Sequence, residues 1–330
     1  MSSVPMIELW RGGRLEGVHM GHAVICGPGG QILDAWGDPE AVIFPRSSCK
    51  MIQALPLLES GAAGAAGLTD AQLALACASH QGAEVHTTAV KTWLKGLGMG
   101  ERDLRCGAHM PFDPTARDAL YRYHGRPCQL HNNCSGKHAG FLTLNQHLKG
   151  GAEYVEPDHP VQRAVLAATE EVAGETSPGF GIDGCSAPNF ALSLHGLGRA
   201  MAFFANAPET GSVREAAAHR LVRSMTAHPE LVAGEGRACT ELMRAMGGRV
   251  AVKTGAEAVF IAIAPEKGIG IALKIMDGAT RASEAAITAL LVRTGLLDAS
   301  HPLVAKYLTG PQKNWRGIVT GGMRLAPGFG

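Results

Sequence analysis

The stretch RVAVKTGAEAVFIAIAPEKGIGIALKI, residues 249–275, decides the fold. Its short runs rich in Val and Ile, Val250 to Lys253, Ala258 to Ala264 and Ile269 to Ile275, read as strands, and Pro265-Glu-Lys-Gly268 supplies a hairpin turn between the last two. A long helical pattern from Thr280 to Thr294 follows. The other end of the chain behaves alike. Ile7 to Arg11, Gly17 to Cys26 and Gln31 to Trp36 are β-type runs separated by Gly12-Gly13 and Gly27-Pro-Gly-Gly30, and they predict an antiparallel meander.

Between these ends the period changes. From Pro45-Arg46-Ser47-Ser48 onward, Met51, Ile52, Leu55 and Leu58 fall at helical spacing, with Ser47 placed as an N-cap and Pro56 expected to kink the helix. Thr69-Asp-Ala-Gln72 is a capping box that opens a helix through Leu73, Leu75 and Ala76, running out near Ser79-His80-Gln81-Gly82. Further helices are expected at 84–97, 136–148, 159–173, 188–204 and 212–227. The expectation is an α+β protein: an antiparallel sheet formed from both chain ends, flanked by helices, with a mostly helical middle insertion. Regular βα alternation is missing, and no helix opens after Gly27-Pro-Gly-Gly30, so a doubly wound dinucleotide fold does not fit. We expect one catalytic unit with two lobes, a sheet lobe of approximately 1–45 and 249–330 and a helical lobe of approximately 46–248.

Composition narrows the function. Of 330 residues 46% are hydrophobic and 18% charged, enough apolar material for a substantial core. Lys and Arg number 30 against 29 Asp and Glu, a net charge of +1, which leaves no global footprint for nucleic acid or an anionic membrane. A small neutral or zwitterionic ligand fits that balance. Glu8 lies among the first ten residues, no basic start precedes a long apolar run, and no stretch reaches the ~20 apolar residues of a membrane span. The expected location is the cytoplasm. The eight cysteines are scattered, which argues against a disulfide scaffold and for small buried thiols.

Four motifs carry chemistry. Ser47-Ser-Cys-Lys50 places a serine at a helix start and a lysine one turn later, where a desolvated neutral amine takes the serine proton; the bland alternative is an N-cap serine with an exposed lysine. Lys253-Thr-Gly255 lies on a strand near the other end, and Ser79-His80-Gln81 falls between the two in the chain. That order resembles the active-site serine penicillin-binding proteins and β-lactamases, where a Lys-Thr-Gly strand faces a Ser-x-x-Lys helix. Last, Cys134 and Cys185 each sit in a turn rich in Gly, Ser or Asn, where backbone N–H groups favour a thiolate. Metal pair, redox pair, nucleophile with bystander, and buried structural thiols all remain open for them on spacing alone. His131 and His138 flank Cys134 and permit a Cys/His nucleophile, but nothing else in the chain suits a cysteine hydrolase.

The chain resembles the thermolabile, rhizobial-type L-asparaginase II family, whose fold is similar to serine β-lactamases and glutaminases. The resemblance rests on Pro45-Arg46-Ser47-Ser48-Cys49-Lys50, Ser79-His80-Gln81-Gly82-Ala83-Glu84, Cys106-Gly107, His131 to His138, Gly181-Ile182-Asp183-Gly184-Cys185, His228-Pro229-Glu230 and Lys253-Thr254-Gly255-Ala256-Glu257. It implies hydrolysis of the side-chain amide of L-asparagine by a serine nucleophile, with Ser47 and Lys50 as one pair and Ser79 and Lys253 as a second. It also implies a zinc site at Cys134, Lys137 and Cys185, and a homodimer. Arg46, His80, His138 and Asp183 are the candidates for holding the substrate's α-carboxylate and α-amino groups. Cys239 departs from the acidic residue expected there. A glutaminase on the same scaffold, or a non-catalytic zinc-dependent amino-acid-binding module, are the competing functions.

Overall fold

Four strands open the chain: β1 (Val4–Arg11), β2 (Arg14–Cys26), β3 (Ile32–Trp36) and β4 (Val42–Ile43). The middle holds helices α1 (Lys50–Glu59), α2 (Ala62–Ala65), α3 (Asp70–Ala76), α4 (Glu84–Gly96), α5 (Pro114–Arg122), α6 (Ser135–Leu148) and α7 (Pro160–Ala173). Short strands β5 (Phe180–Ile182), β6 (Pro188–Phe190) and β7 (Leu192–Ser193) follow. Next come α8 (Leu194–Asn206), α9 (Val213–Ala227), α10 (Pro229–Val232) and α11 (Ala238–Ala245). The chain closes with β8 (Ala251–Thr254), β9 (Val259–Ala264), β10 (Ile269–Ile275), α12 (Thr280–Arg293), α13 (Pro302–Tyr307), β11 (Gln312–Lys313) and β12 (Val319–Leu325). This is a computed structural model and describes residues 2–330. The α+β class and the sheet built from both chain ends agree with the sequence expectation.

The residues divide into two units. The sheet unit comprises residues up to Ser48, Leu192–Asn206 and Glu241–Gly330. Its main sheet runs β11-β12-β1-β2-β10-β9-β8, with β3 also on β2, and every pairing is antiparallel. The 13 residues of β2 serve three neighbours: β1 along Arg14 to Gly21, β3 along Ala23 to Cys26 and β10 along Gly21 to Cys26. Strands β9 and β10 are buried almost throughout because α8 and α12 both pack on them, so their sequences read as continuous apolar runs. Helix α8 comes close. A β-carbon on Gly270 would lie 2.1 Å from Ala202 N and 2.6 Å from Gly198 O.

Two local expectations change. Residues 188–193 are strand, because Pro188–Phe190 pairs with β5 and Leu192–Ser193 with β4; the helix begins only at Leu194, with Ser193 Oγ accepting from Gly196 N. Ser47 does not cap α1. It lies in a 3-10 turn, Arg46–Cys49, tightened by Ser48 N–H and Oγ both donating to Pro45 O, and Cys49 precedes α1 without a side-chain cap. Helix α1 also continues through Pro56 to Glu59.

The helical unit comprises Cys49–Ala191 and Ala207–Thr240. Helix α1 packs against α6, α7 and α9, and α3 against α6, α9 and α10. The capping box at Thr69 forms as expected, with Thr69 N donating to Gln72 Oε1 and Gln72 N to Thr69 Oγ1. Residues Lys50 to Leu57 of α1 are all buried, which puts a lysine in the interior. Among the described residues no helix is long and apolar enough to cross a membrane.

Candidate active site

In the helical unit the buried lysine is engaged on every side. Lys50, 1% exposed, donates from Nζ to Ala78 O, to Ser79 Oγ at 3.0 Å and to Cys134 Sγ at 3.1 Å. A buried amine needs such partners, since burying it unpaired would cost several kcal/mol, on the order of 3 to 5. Ser79 arrives just beyond the end of α3, fixed by its own N–H on Val232 O (2.8 Å) and by His80 N on Asn133 O (3.2 Å). Cys134 precedes α6 without a side-chain cap and is held through its backbone: Cys134 N donates to Asn132 Oδ1 (2.8 Å), while Asn132 Nδ2 donates to Cys106 O and Gly107 O. Sequence reading assigned no role to Asn132. The signal was available in an Asn two residues ahead of a helix-start thiol, since Asn side chains commonly bond backbone N–H groups two residues on.

The second buried lysine lies in the same unit. Lys137 Nζ donates to Cys185 Sγ at 3.0 Å, and the Cys134 thiol donates to Asn133 Oδ1 at 3.4 Å. The neighbouring Cys134 thiol, together with the Lys137 charge, holds the Cys185 thiol well below its ordinary range despite burial. The Cys134 thiol is pushed up to about 12 by Cys185 and by burial. Burial opposes the charge on Lys137, but Cys185 and Cys134 outweigh it and hold the ammonium above its usual value. The geometry sets one buried amine against each sulfur, Lys137 on Cys185 and Lys50 on Cys134. Two sulfurs and one amine nitrogen are a donor set suited to zinc, so Cys134, Lys137 and Cys185 fit that ion. No group of three or more His, Cys, Asp or Glu that could hold a metal ion occurs among the described residues. Burial raises the thiols of Cys26, to about 12, and, with a smaller contribution from Asp183, of Cys49, to about 11. These two are inert packing residues.

Two histidines expected to touch substrate are fully buried. His80 Nε2 pairs with Ser135 Oγ at 2.9 Å and its ring stacks on His86, with centroids 4.8 Å apart. His138 Nδ1 pairs with Tyr154 Oη at 2.9 Å, while its Nε2 has no hydrogen-bond partner in the protein. Asp183 is part-exposed, and its charge acts on Lys137 and Cys185.

The sheet unit holds the remaining candidates. Lys253 is 1% exposed on β8 and donates from Nζ to Thr254 O at 2.7 Å. Gly255 next to it meets the Arg46–Cys49 turn: a β-carbon there would lie 2.7 Å from Pro45 O, 3.1 Å from Ser48 N and 3.4 Å from Ser47 N. Only glycine allows that approach. Within this unit, then, the Lys253-Thr-Gly255 segment and the backbone of Ser47 and Ser48 come together. Arg46 itself adopts a left-handed φ of 53°.

The profile of the L-asparaginase II family matches residues 7–325. The chain belongs to the L-asparaginase II family. No curated protein matched it. Among solved structures, this chain is similar to Mglu in its tris and glutamate form, at 14% identity and a TM-score of 0.47, over 85% of its own length and 60% of the Mglu chain. It therefore spans less than two thirds of that chain. A β-lactamase from Mycobacterium bovis is similar at 14% identity and a TM-score of 0.44, with 84% of this chain and 95% of that one covered. Both scores fall below 0.5, so membership rests on the profile match.

Proposed function

We propose that this chain is an amidohydrolase that cleaves the side-chain amide of L-asparagine to L-aspartate and ammonia. The observation that carries the reading is the hydrogen bond of buried Lys50 to Ser79 in a member of the L-asparaginase II family. In this reading Ser47 Oγ attacks the amide carbon while Lys50 takes the serine proton. Backbone N–H groups at the Ser47 turn stabilise the oxyanion. Ser79 and Lys253 pass a proton to the departing ammonia, and water then hydrolyses the ester to free aspartate. Arg46 pairs with the α-carboxylate and Asp183 with the α-amino group, and His80 and His138 complete the substrate contacts. Cys134, Lys137 and Cys185 would hold a zinc ion, which supplies a fixed positive charge for orienting the substrate.

The test is ammonia release from L-asparagine and L-glutamine side by side, with and without added zinc, in the native chain and in Ser47→Ala. Faster release from asparagine, abolished in Ser47→Ala with an unchanged circular dichroism spectrum, supports the reading. Faster release from glutamine makes the chain a glutaminase, and release from neither amide overturns amide hydrolysis altogether.

The Lys50 to Ser79 bond also favours a second assignment of the nucleophile, with Ser79 forming the acyl ester. Peptide mapping of the trapped acyl-enzyme separates the two, since the mass increment falls on the peptide containing Ser47 or on the one containing Ser79.

A further inference from the structure

The connection from β8 to β9 is strained. Gly255 N donates to Val259 O at 2.7 Å and closes a turn over Ala256 to Ala258, in which Glu257 and Ala258 both take a left-handed φ of 56°. Residues with a β-carbon avoid that region, and two in succession need something to hold them. The Glu257 side chain is exposed, so its burial does not do so. Arg46 is left-handed as well, and three of the six such non-glycine residues among those described therefore fall on the two segments that meet at Gly255. Strain of this kind gathers at functional sites.

Resting on the function proposed above, we propose that Lys274 is a positioning residue: its ammonium clamps the strained Glu257–Ala258 turn and so fixes Gly255 against the backbone of Ser47 and Ser48. Lys274 lies on β10 opposite Val259, the first residue after the turn. Its Nζ donates to Glu257 O at 2.5 Å and to Ile275 O at 2.7 Å. The first bond satisfies the carbonyl of a left-handed residue. The second anchors the amine to the rigid central strand. Glu257 and Asp277 favour the charge on Lys274, against its burial and the nearby Arg46. Because Gly255 has no free space toward Pro45 and Ser48, any relaxation of the turn moves the Lys253-Thr254-Gly255 edge relative to the Ser47 amide. A displacement of about 1 Å at such a point is able to reduce turnover by ~100-fold without touching substrate.

The experiment measures kcat and KM for the amide, and hydrogen–deuterium exchange across residues 254–259, in Lys274→Met, Lys274→Arg and the double variant Lys274→Met with Ala258→Gly. We expect Lys274→Met to lower kcat by about tenfold or more with KM within about twofold, and to speed exchange in that segment alone. Lys274→Arg restores the donor, and Ala258→Gly relieves the strain, so each recovers most of both losses. Native kcat with native exchange in Lys274→Met overturns the proposal, as does a loss of kcat without faster exchange. Should Lys274→Met fail to fold, Lys274→Gln replaces it in each comparison. If the native chain turns over neither amide, the function reading fails by itself and exchange decides the clamp: local acceleration reversed by Lys274→Arg supports it, and no change or chain-wide acceleration overturns it.

Discussion

Lys50 Nζ lies 3.0 Å from Ser79 Oγ, although the two residues are 29 positions apart. The Ser-x-x-Lys spacing places Lys50 with Ser47, one turn earlier, and the family resemblance implies a pair of Ser79 with Lys253. In the fold, the lysine of the first pair hydrogen-bonds the serine of the second, and the same amine also reaches Cys134. A substitution at Lys50 therefore removes the partner of both Ser79 Oγ and Cys134 Sγ.

Lys50→Met is expected to lower ammonia release by about 100- to 10,000-fold, the usual range for removing a general base. Met fills a similar volume without a polar group, so the fold survives. Lys50→Ala leaves a cavity as well and costs about 2 kcal/mol or more. Steady-state kinetics together with urea unfolding of both variants check this, and near-native turnover in Lys50→Met removes the amine from the mechanism.

Cys134→Ala is expected to lose bound zinc, because it leaves only one sulfur and one amine at the site. Elemental analysis of the native chain and the variant, purified identically, measures it. Equal zinc in both rules out Cys134 as a ligand.

His80 and His86 stack at 4.8 Å, and burial pushes both rings below the ordinary histidine value, His80 far below it. Below the ordinary histidine value the unfolded chain therefore binds more protons at these rings than the folded chain does. The stability they contribute is complete above about pH 6.5 and falls as pH drops below that, by up to about 1.4 kcal/mol per pH unit for each ring. Urea midpoints at a series of pH values check the slope. In His86→Gln it should be shallower by about one proton, and an unchanged slope would sink the assignment.

Gly270→Ala is expected to destabilise the chain by about 2 kcal/mol or more, since its β-carbon would meet the backbone of α8 at Ala202 N, which has no side-chain freedom to give way. Chemical denaturation measures the loss. Native stability in this variant would contradict the close packing of α8 on β10.

Features settled within a few residues were legible. The Thr69 capping box is made by groups three positions apart, and Ile269–Ile275 has a run of apolar residues that suits a strand buried on both faces. The same local reading went astray at 188–193, where Pro188-Asn-Phe190 becomes strand only because β5 is there to pair with it. It had no signal for β12 either. Val319–Leu325 carries two glycines in mid-strand, and Gly321 is needed because a β-carbon would lie 2.1 Å from Trp10 O on β1. For the site, sequence supplied the residue types and their order, and it singled out the Lys253-Thr-Gly255 segment without showing that Gly255 would lie against Pro45 and Ser48.

By itself, then, the sequence determined the α+β class, the origin of the sheet in both chain ends and the family, because these follow from periodicity and from motifs whose members are close together or strictly ordered. Only the tertiary structure decided that α8 packs on the sheet, that Lys50 meets Ser79, that Lys137 pairs with Cys185, and that Lys274 bonds the carbonyl of a left-handed Glu257. Each of these joins groups at least 17 residues apart. Such contacts depend on which surfaces exclude water together and which buried polar atoms must be satisfied, and no local stretch of chain encodes that.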